Sequence, residues 1–272
     1  MVKEKNSQRD YRLSIDEAKK MVWYHTIEIA SGFTTKGIYD WRPYWDKFNF
    51  GDLHDKTVLD VGAGDGFFSF EFEKRGGGKV TALDIQEEEE CDHVKMGTQK
   101  EIDKKTYFRA KKCTEFKRKF NIAKNFLDSK VKRVEMNIYD ISRASIGSFD
   151  IVFCGDVLLH LTDPIRALAK MKGVCKSKII ISTPIYSTKS FSIYHPLQKL
   201  AILMLRNLPL SNFMGATGHG AFWIPTRKCL EAMIIASGFK KTKWISGFTP
   251  KKEDLGFGGA RLERGVIHGF VD

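Results

Sequence analysis

The chain has 272 residues, of which 42% are hydrophobic and 29% charged, enough for one sizeable core and ordinary for a globular protein. No run approaches the roughly 20 apolar residues of a membrane span, and "MVKEKNSQRDYRLS" lacks the apolar stretch of a signal peptide. Five cysteines (Cys91, Cys113, Cys154, Cys175, Cys229), none in a C-x-x-C pair, argue against a disulfide framework or zinc site and point to a reducing cytoplasm. The net charge of +12 is concentrated: residues 95–119 hold ten Lys/Arg against three acids. Such a stretch either grips a polyanion through its phosphates or forms a solvated helix face.

In chain order, Ser14 and Glu17 have capping-box spacing and predict an N-terminal helix through "SIDEAKKMVWYHTIEIA". "TVLDVG" (57–62) reads as a buried strand and "DGFFSFEFEKRG" as the helix after it; "KVTALDI" (79–85) is a second strand. A charged insertion and a helix near "FKRKFNIAKNFLDS" lead to a third strand, "VKRVEMNIY" (131–139). "FDIVFCGDVL" (149–158) and "KSKIIISTP" (176–184) are two more, separated by a helix with Asp163 as N-cap and Pro164 at its first position. "PTRKCLEAMIIASG" is a further helix, and strands near "FKKTKWISGF" and "ERGVIHGFV" close the chain. Alternation of this kind predicts one α/β domain, a doubly wound sheet with helices on both faces. Three additions are expected on it: an N-terminal helical cap over about 12–50, a basic insertion over about 87–118, and a lid over about 185–222. The lid follows the fifth strand, at the edge where such sheets bind ligands.

The stretch "VLDVGAGDGFFSF" (58–70) sets glycines between a strand and a helix, where backbone can approach a nucleotide-type ligand without a Cβ in the way. A dinucleotide fingerprint would need glycine at position 67, which is Phe67. The spacing is instead Asp60-x-Gly62-x-Gly64-x-Gly66, which resembles motif I of the class I S-adenosylmethionine (SAM) methyltransferases. An acid beside the loop suits a ligand carrying an ammonium group and repels a pyrophosphate. Asp84 ends the second strand, where a carboxylate accepts ribose hydroxyls, and Asp140 ends the third, where methyltransferases bond the adenine amine. The fold expected is therefore a Rossmann-like, seven-stranded, mostly parallel sheet with an antiparallel last strand.

"MVWYHTIEIASGFTTKG", "VLDVGAGDGFFSF", "FDIVFCGDVLLHLTDPIRAL" and "FWIPTRKCLEAMIIASGF" together resemble the tRNA wobble-uridine methyltransferase and carboxymethyltransferase family. The resemblance implies a cytoplasmic enzyme that modifies a 5-hydroxyuridine-type nucleoside in tRNA. It also matches Trp41 and Arg264 to side chains that hold carboxy-SAM in the carboxymethylating members. Leu159 stands where those relatives have a tyrosine and Asp46 where they have a lysine, so plain SAM is the expected donor, with Lys36 and Lys47 as alternative cations.

Methyl transfer from a sulfonium needs positioning, and a base where the acceptor must lose a proton. The candidates for that chemistry are His160, Tyr24 and His25, with His195 and His219 in the lid as weaker ones and Trp223 as an aromatic for a planar acceptor. Asp156 is placed to bond the methionine amino group. No metal is expected. Three functions remain open from the sequence: methylation of tRNA, methylation of a small acceptor (lipophilic or not), and SAM binding without turnover.

Overall fold

The computed structural model describes residues 15–30, 32–86, 92, 115–187, 204–205, 207–215, 221–256 and 261–272. Seven strands form the central sheet: β1 (Thr57–Val61), β2 (Lys79–Asp84), β3 (Lys132–Glu135), β4 (Phe149–Gly155), β5 (Cys175–Pro184), β6 (Lys241–Phe248) and β7 (Arg264–Phe270). Their spatial order is β3-β2-β1-β4-β5-β7-β6. The pairs from β3 to β5 are parallel, and β7 runs antiparallel to both β5 and β6. The reversal of order between β1 and β4 opens a crevice at the carboxyl edge, the switch point where such folds bind ligands.

The parallel strands are legible because both their faces are buried, so they read as apolar runs. Alternate residues serve opposite cores. Val58, Ile151, Phe153 and Ile180 join helix α1 (Phe67–Lys74) and the helix over 115–126, here α2, in one cluster. Leu59, Val152, Cys154 and Ile181 join α4 (Pro164–Val174) and α5 (Arg227–Ala236) in the other, with the short helix α3 (Arg143–Ile146) between β3 and β4. Helix α4 starts as its sequence indicates: Asp163 accepts from the Arg166 N–H at 2.9 Å, with Pro164 in the first turn.

The N-terminal cap differs from the helical expectation. Its first helix covers only Ile15–Lys19, and the other is Trp45–Phe48; Ser14, the expected cap residue, lies outside the described residues. Trp23–His25 instead pairs in parallel with Gly37–Tyr39, and Glu28–Ala30 pairs with Phe33–Thr34. The aromatic and β-branched run from Trp23 to Ile29 favours extended backbone. Gly37 permits the pairing, since a Cβ there would lie 2.1 Å from the His25 carbonyl carbon. Trp23, Ile29, Trp41, Phe48 and Phe50 bury this cap against the α1 face.

Most of the basic insertion and of the lid lies outside the described residues. From the lid, Ser211–Phe213 pairs antiparallel with Trp223–Pro225, and the Phe222 N–H donates to Leu159 O at 2.6 Å. Among the described residues, no helix is long and apolar enough to cross a membrane.

Candidate active site

A cavity of about 320 Å³ lies at the carboxyl edge of β1, β2 and β4, roofed by the N-terminal cap. Of the expected site residues, Tyr24, His25, Trp41, Asp60, Gly62, Gly64, Asp84, Asp156 and His160 all line it. Gly62, at φ +74, is required by close approach: a Cβ would lie 2.3 Å from the Val157 side chain. The Gly64 N–H donates to Asp84 Oδ2 at 2.8 Å, the Ile85 N–H donates to Asp84 Oδ1 at 3.0 Å, and Arg133 lies 3.4 Å from Asp84. Asp84 thus fastens the glycine loop while facing the cavity. Burial pushes its carboxyl upward, against the opposing pull of Arg133 and the two backbone donors.

Asp60 is 2% exposed and accepts a hydrogen bond from Ser69 Oγ at 2.6 Å. Burial pushes its carboxyl up to about 7, opposed by the Ser69 hydrogen bond and by nearby His25. Asp156 sits in left-handed backbone at φ +52, its N–H held by Ser182 O at 2.8 Å. That twist at the end of β4 turns the carboxylate toward Arg264, whose Nε donates to Asp156 Oδ2 at 2.9 Å. Antiparallel β7 delivers Arg264, its first residue, to this edge opposite Pro184. The guanidinium lies 4.7 Å from the Trp41 ring centre and 5.2 Å from that of Tyr39, and those two rings stack. Asp156 Oδ1 is buried without a hydrogen-bond partner among the described residues. A buried acceptor left unpaired is costly.

Sequence reasoning passed over Asp65, the acid inside the glycine loop. It is fully buried: Oδ2 accepts the backbone N–H groups of Tyr24 (2.9 Å) and His25 (2.8 Å), and Oδ1 meets His25 Nδ1 at 2.5 Å. Nothing local signals this contact, because the partners are 40 residues apart. Asn137 and Asp92 were also missed. Asn137 lines the cavity and caps the turn after β3; Asp92 accepts from Tyr139 Oη (2.6 Å) and from Thr162. Burial moves the Tyr24 phenol far upward, and the neighbouring Tyr39 and Asp156 add to the shift, so its ionised form is disfavoured.

Several expectations need correction. Asp140 is exposed and away from the cavity, because β3 stops at Glu135 and a tight turn over Ile138–Asp140 carries the acid outward; Met136, Asn137, Ile138 and Tyr139 fill that corner. Gly66 serves packing and not the ligand: a Cβ there would fall 2.4 Å from Phe70 and 2.6 Å from Phe120. Leu159 is buried without lining the cavity, and Asp46, Lys36 and Lys47 are exposed and do not line it either, so the expected role of these four in donor choice has no support in the cavity wall. Trp223 lies outside the cavity wall, its Nε1 donating to Leu161 O at 3.0 Å. His195 and His219 lie outside the described residues.

Four acids, Asp60, Asp84, Asp92 and Asp156, line the cavity together with Arg264, which Asp156 already neutralises. Such a wall suits a cationic ligand. Asp84 at the end of β2 is placed for ribose hydroxyls, the Gly62–Gly64 backbone for close approach, and the Asp156 carboxylate at the end of β4 for an ammonium group. These residues fit SAM. Among the described residues, no His/Cys/Asp/Glu group could hold a metal ion.

Residues 59–181 match a sequence family described as "Methyltransferase domain". No curated protein matches the chain by sequence. Among solved structures, an S-adenosylmethionine-dependent methyltransferase from Listeria monocytogenes, so described provisionally, superposes with a TM-score of 0.53 at 16% identity, covering 85% of this chain and 96% of its own. One from Mesorhizobium loti gives 0.52 at 14% identity, covering 85% and 97%. The N-terminal domain of EvdMO1 with bound SAH gives 0.53 at 17% identity, covering 95% and 94%. Each likeness is one of fold. Residues 59–181 match a methyltransferase domain and the chain is an enzyme; the solved structures that share its fold include SAM-dependent methyltransferases and a domain with SAH bound.

Proposed function

We propose that the enzyme methylates a small, planar, partly apolar acceptor held in the aromatic part of the cavity. The observation that carries this reading is the wall itself: Tyr24, Trp41, Phe48, Phe68, Phe116 and Phe153 adjoin the ring of acids. Aromatic walls reward a flat apolar body through stacking and desolvation. SAM supplies a methyl group on a sulfonium, so the reaction asks little more of the chain than orientation and dryness. Asp60, Asp84 and Asp156 hold the donor side, Tyr24 offers a phenolic hydrogen bond, and the cap residues Trp41 and Phe48 exclude water. Arg264 is occupied by Asp156, which favours plain SAM over a donor with an additional carboxylate. The solved EvdMO1 domain, with D-fucose present, is one case of this fold meeting a small molecule. A reducing compartment suits the free thiols Cys154, Cys175 and Cys229.

Methylation of a tRNA wobble nucleoside is the second reading, resting on the cation density of residues 95–119. Two of those cations are already engaged: Lys117 with Glu135 at 2.9 Å and Lys119 with Glu115 at 3.2 Å. The deciding experiment incubates the purified enzyme and methyl-labelled SAM with two fractions from cells lacking the gene. One is total tRNA and the other is small molecules. Label in a small molecule, heavier by one CH2 unit, supports the proposal, and label confined to tRNA nucleosides overturns it.

A further inference from the structure

We propose that Asp65 holds His25 with its Nδ1 protonated and its Nε2 lone pair facing the cavity, so that His25 takes the acceptor's proton during methyl transfer. The assignment rests on the methyltransferase reading above and deepens it, because it requires an acceptor that brings a proton, as a hydroxyl or an N–H.

Asp65 is anchored independently of the histidine. Its Oδ2 accepts two consecutive backbone N–H groups from Tyr24 and His25, so the carboxyl group is fixed and its Oδ2 acts only as an acceptor. Its Oδ1 meets His25 Nδ1, a contact that an ionised carboxylate makes only with a hydrogen on Nδ1. Backbone and ring of one residue are thus held by one side chain. The remaining ring nitrogen, Nε2, has no partner among the described residues and is not sealed off among the buried unpaired atoms. His25 is 6% exposed and lines the cavity, so the opening it has is to that cavity. Phe67 and Phe68 bracket the ring at centroid distances of 5.6 and 6.1 Å, restricting its rotation.

The proton balance is complete with these groups. The acceptor O–H bond breaks and an Nε2–H bond forms; the acceptor oxygen takes the methyl group while the S–CH3 electron pair stays on sulfur. The imidazolium left on His25 lies against the Asp65 carboxylate, and it returns its proton to water when the product leaves. His25 touches the acceptor in this scheme, whereas Asp65 is a positioning residue that acts through it. The same logic, a buried acid selecting the imidazole tautomer, operates in serine-protease triads.

The test reads the tautomer directly. Long-range 1H–15N spectra of protein carrying 15N-histidine, with SAH bound, should show His25 with Nδ1 protonated and Nε2 bare. Asp65→Asn should shift His25 toward the opposite tautomer. With whichever acceptor the labelling experiment identifies, Asp65→Asn and His25→Gln should each lower kcat by about 100-fold or more, with KM for SAM unchanged within about threefold. Asp65→Glu should recover part of the rate. If Asp65→Asn does not fold, His25→Gln and the wild-type spectrum carry the test. A wild-type spectrum with Nε2 protonated overturns the proposal, as does full kcat in His25→Gln or a greater loss in His160→Gln. The spectrum needs no acceptor, so an error over the substrate class leaves it intact and separately readable.

Discussion

Asp60→Asn separates stability from cofactor binding at one buried atom. In the folded chain the Asp60 carboxyl keeps its proton up to about pH 7, whereas its ordinary value is 3.8. Between those limits the folded state carries more protons than the unfolded state, so stability falls as pH rises through the window and levels off above it. At about 1.4 kcal/mol per unit, the full cost of ionising this group reaches about 4 kcal/mol. Asparagine keeps the oxygen that receives Ser69 Oγ and has nothing to ionise. Cofactor-free Asp60→Asn should therefore melt above the wild type at pH 8, by several degrees at about 2–4 °C per kcal/mol, with the gap closing toward pH 5. Binding should run the other way. A cationic donor favours the carboxylate, so calorimetric affinity of the wild type for SAM should rise through pH 6–8, by at most about tenfold per unit. The variant should bind weakly with a flat profile. Parallel pH profiles for the two proteins, in melting or in binding, would refute the reasoning.

Asp84→Asn should weaken SAM about 10- to 100-fold by calorimetry, since charge-assisted hydrogen bonds contribute roughly 1.5–3 kcal/mol each; an intact fold with unchanged affinity would remove Asp84 from the donor site. Gly66→Ala places a methyl against Phe70 and Phe120 at φ +94, so denaturant melts should show a loss of about 2–4 kcal/mol from overpacking and left-handed strain. Reversing Lys104, Lys105, Lys111 and Lys112 to Glu should leave methylation of a small acceptor unchanged in a label-transfer assay. The tRNA reading instead requires it to flatten a salt dependence of roughly 0.7–0.9 log units per phosphate contact.

Strand positions were readable because a strand buried on both faces needs unbroken apolar residues, as in "VLDV", "DIVFC" and "IIIS". Ligand-facing residues fixed by a strand end and a short loop were readable for the same reason: Asp60, Gly62, Gly64, Asp84 and Asp156 reach the cavity from β1, β2 and β4. Asp140 failed because one early strand end, at Glu135, rotates everything after it. Leu159 and Trp223 failed because a likeness of sequence carries no side-chain direction: Leu159 is buried without lining the cavity, and the Trp223 indole is tied to Leu161 O. Asp65 was invisible for a different reason. Its role exists only where the cap strand Trp23–His25 folds over the glycine loop, a contact between distant segments.

The most direct test of the site is a crystal structure of the enzyme with SAH. The account predicts the nucleoside in the cavity between the cap and the β1, β2 and β4 edge. Its ribose should lie within hydrogen-bond distance of Asp84 and its amino group against the Asp156 carboxylate, with the aromatic part of the cavity left open for the acceptor. SAH bound elsewhere, or filling the space among Trp41, Phe48 and Phe68, would contradict it.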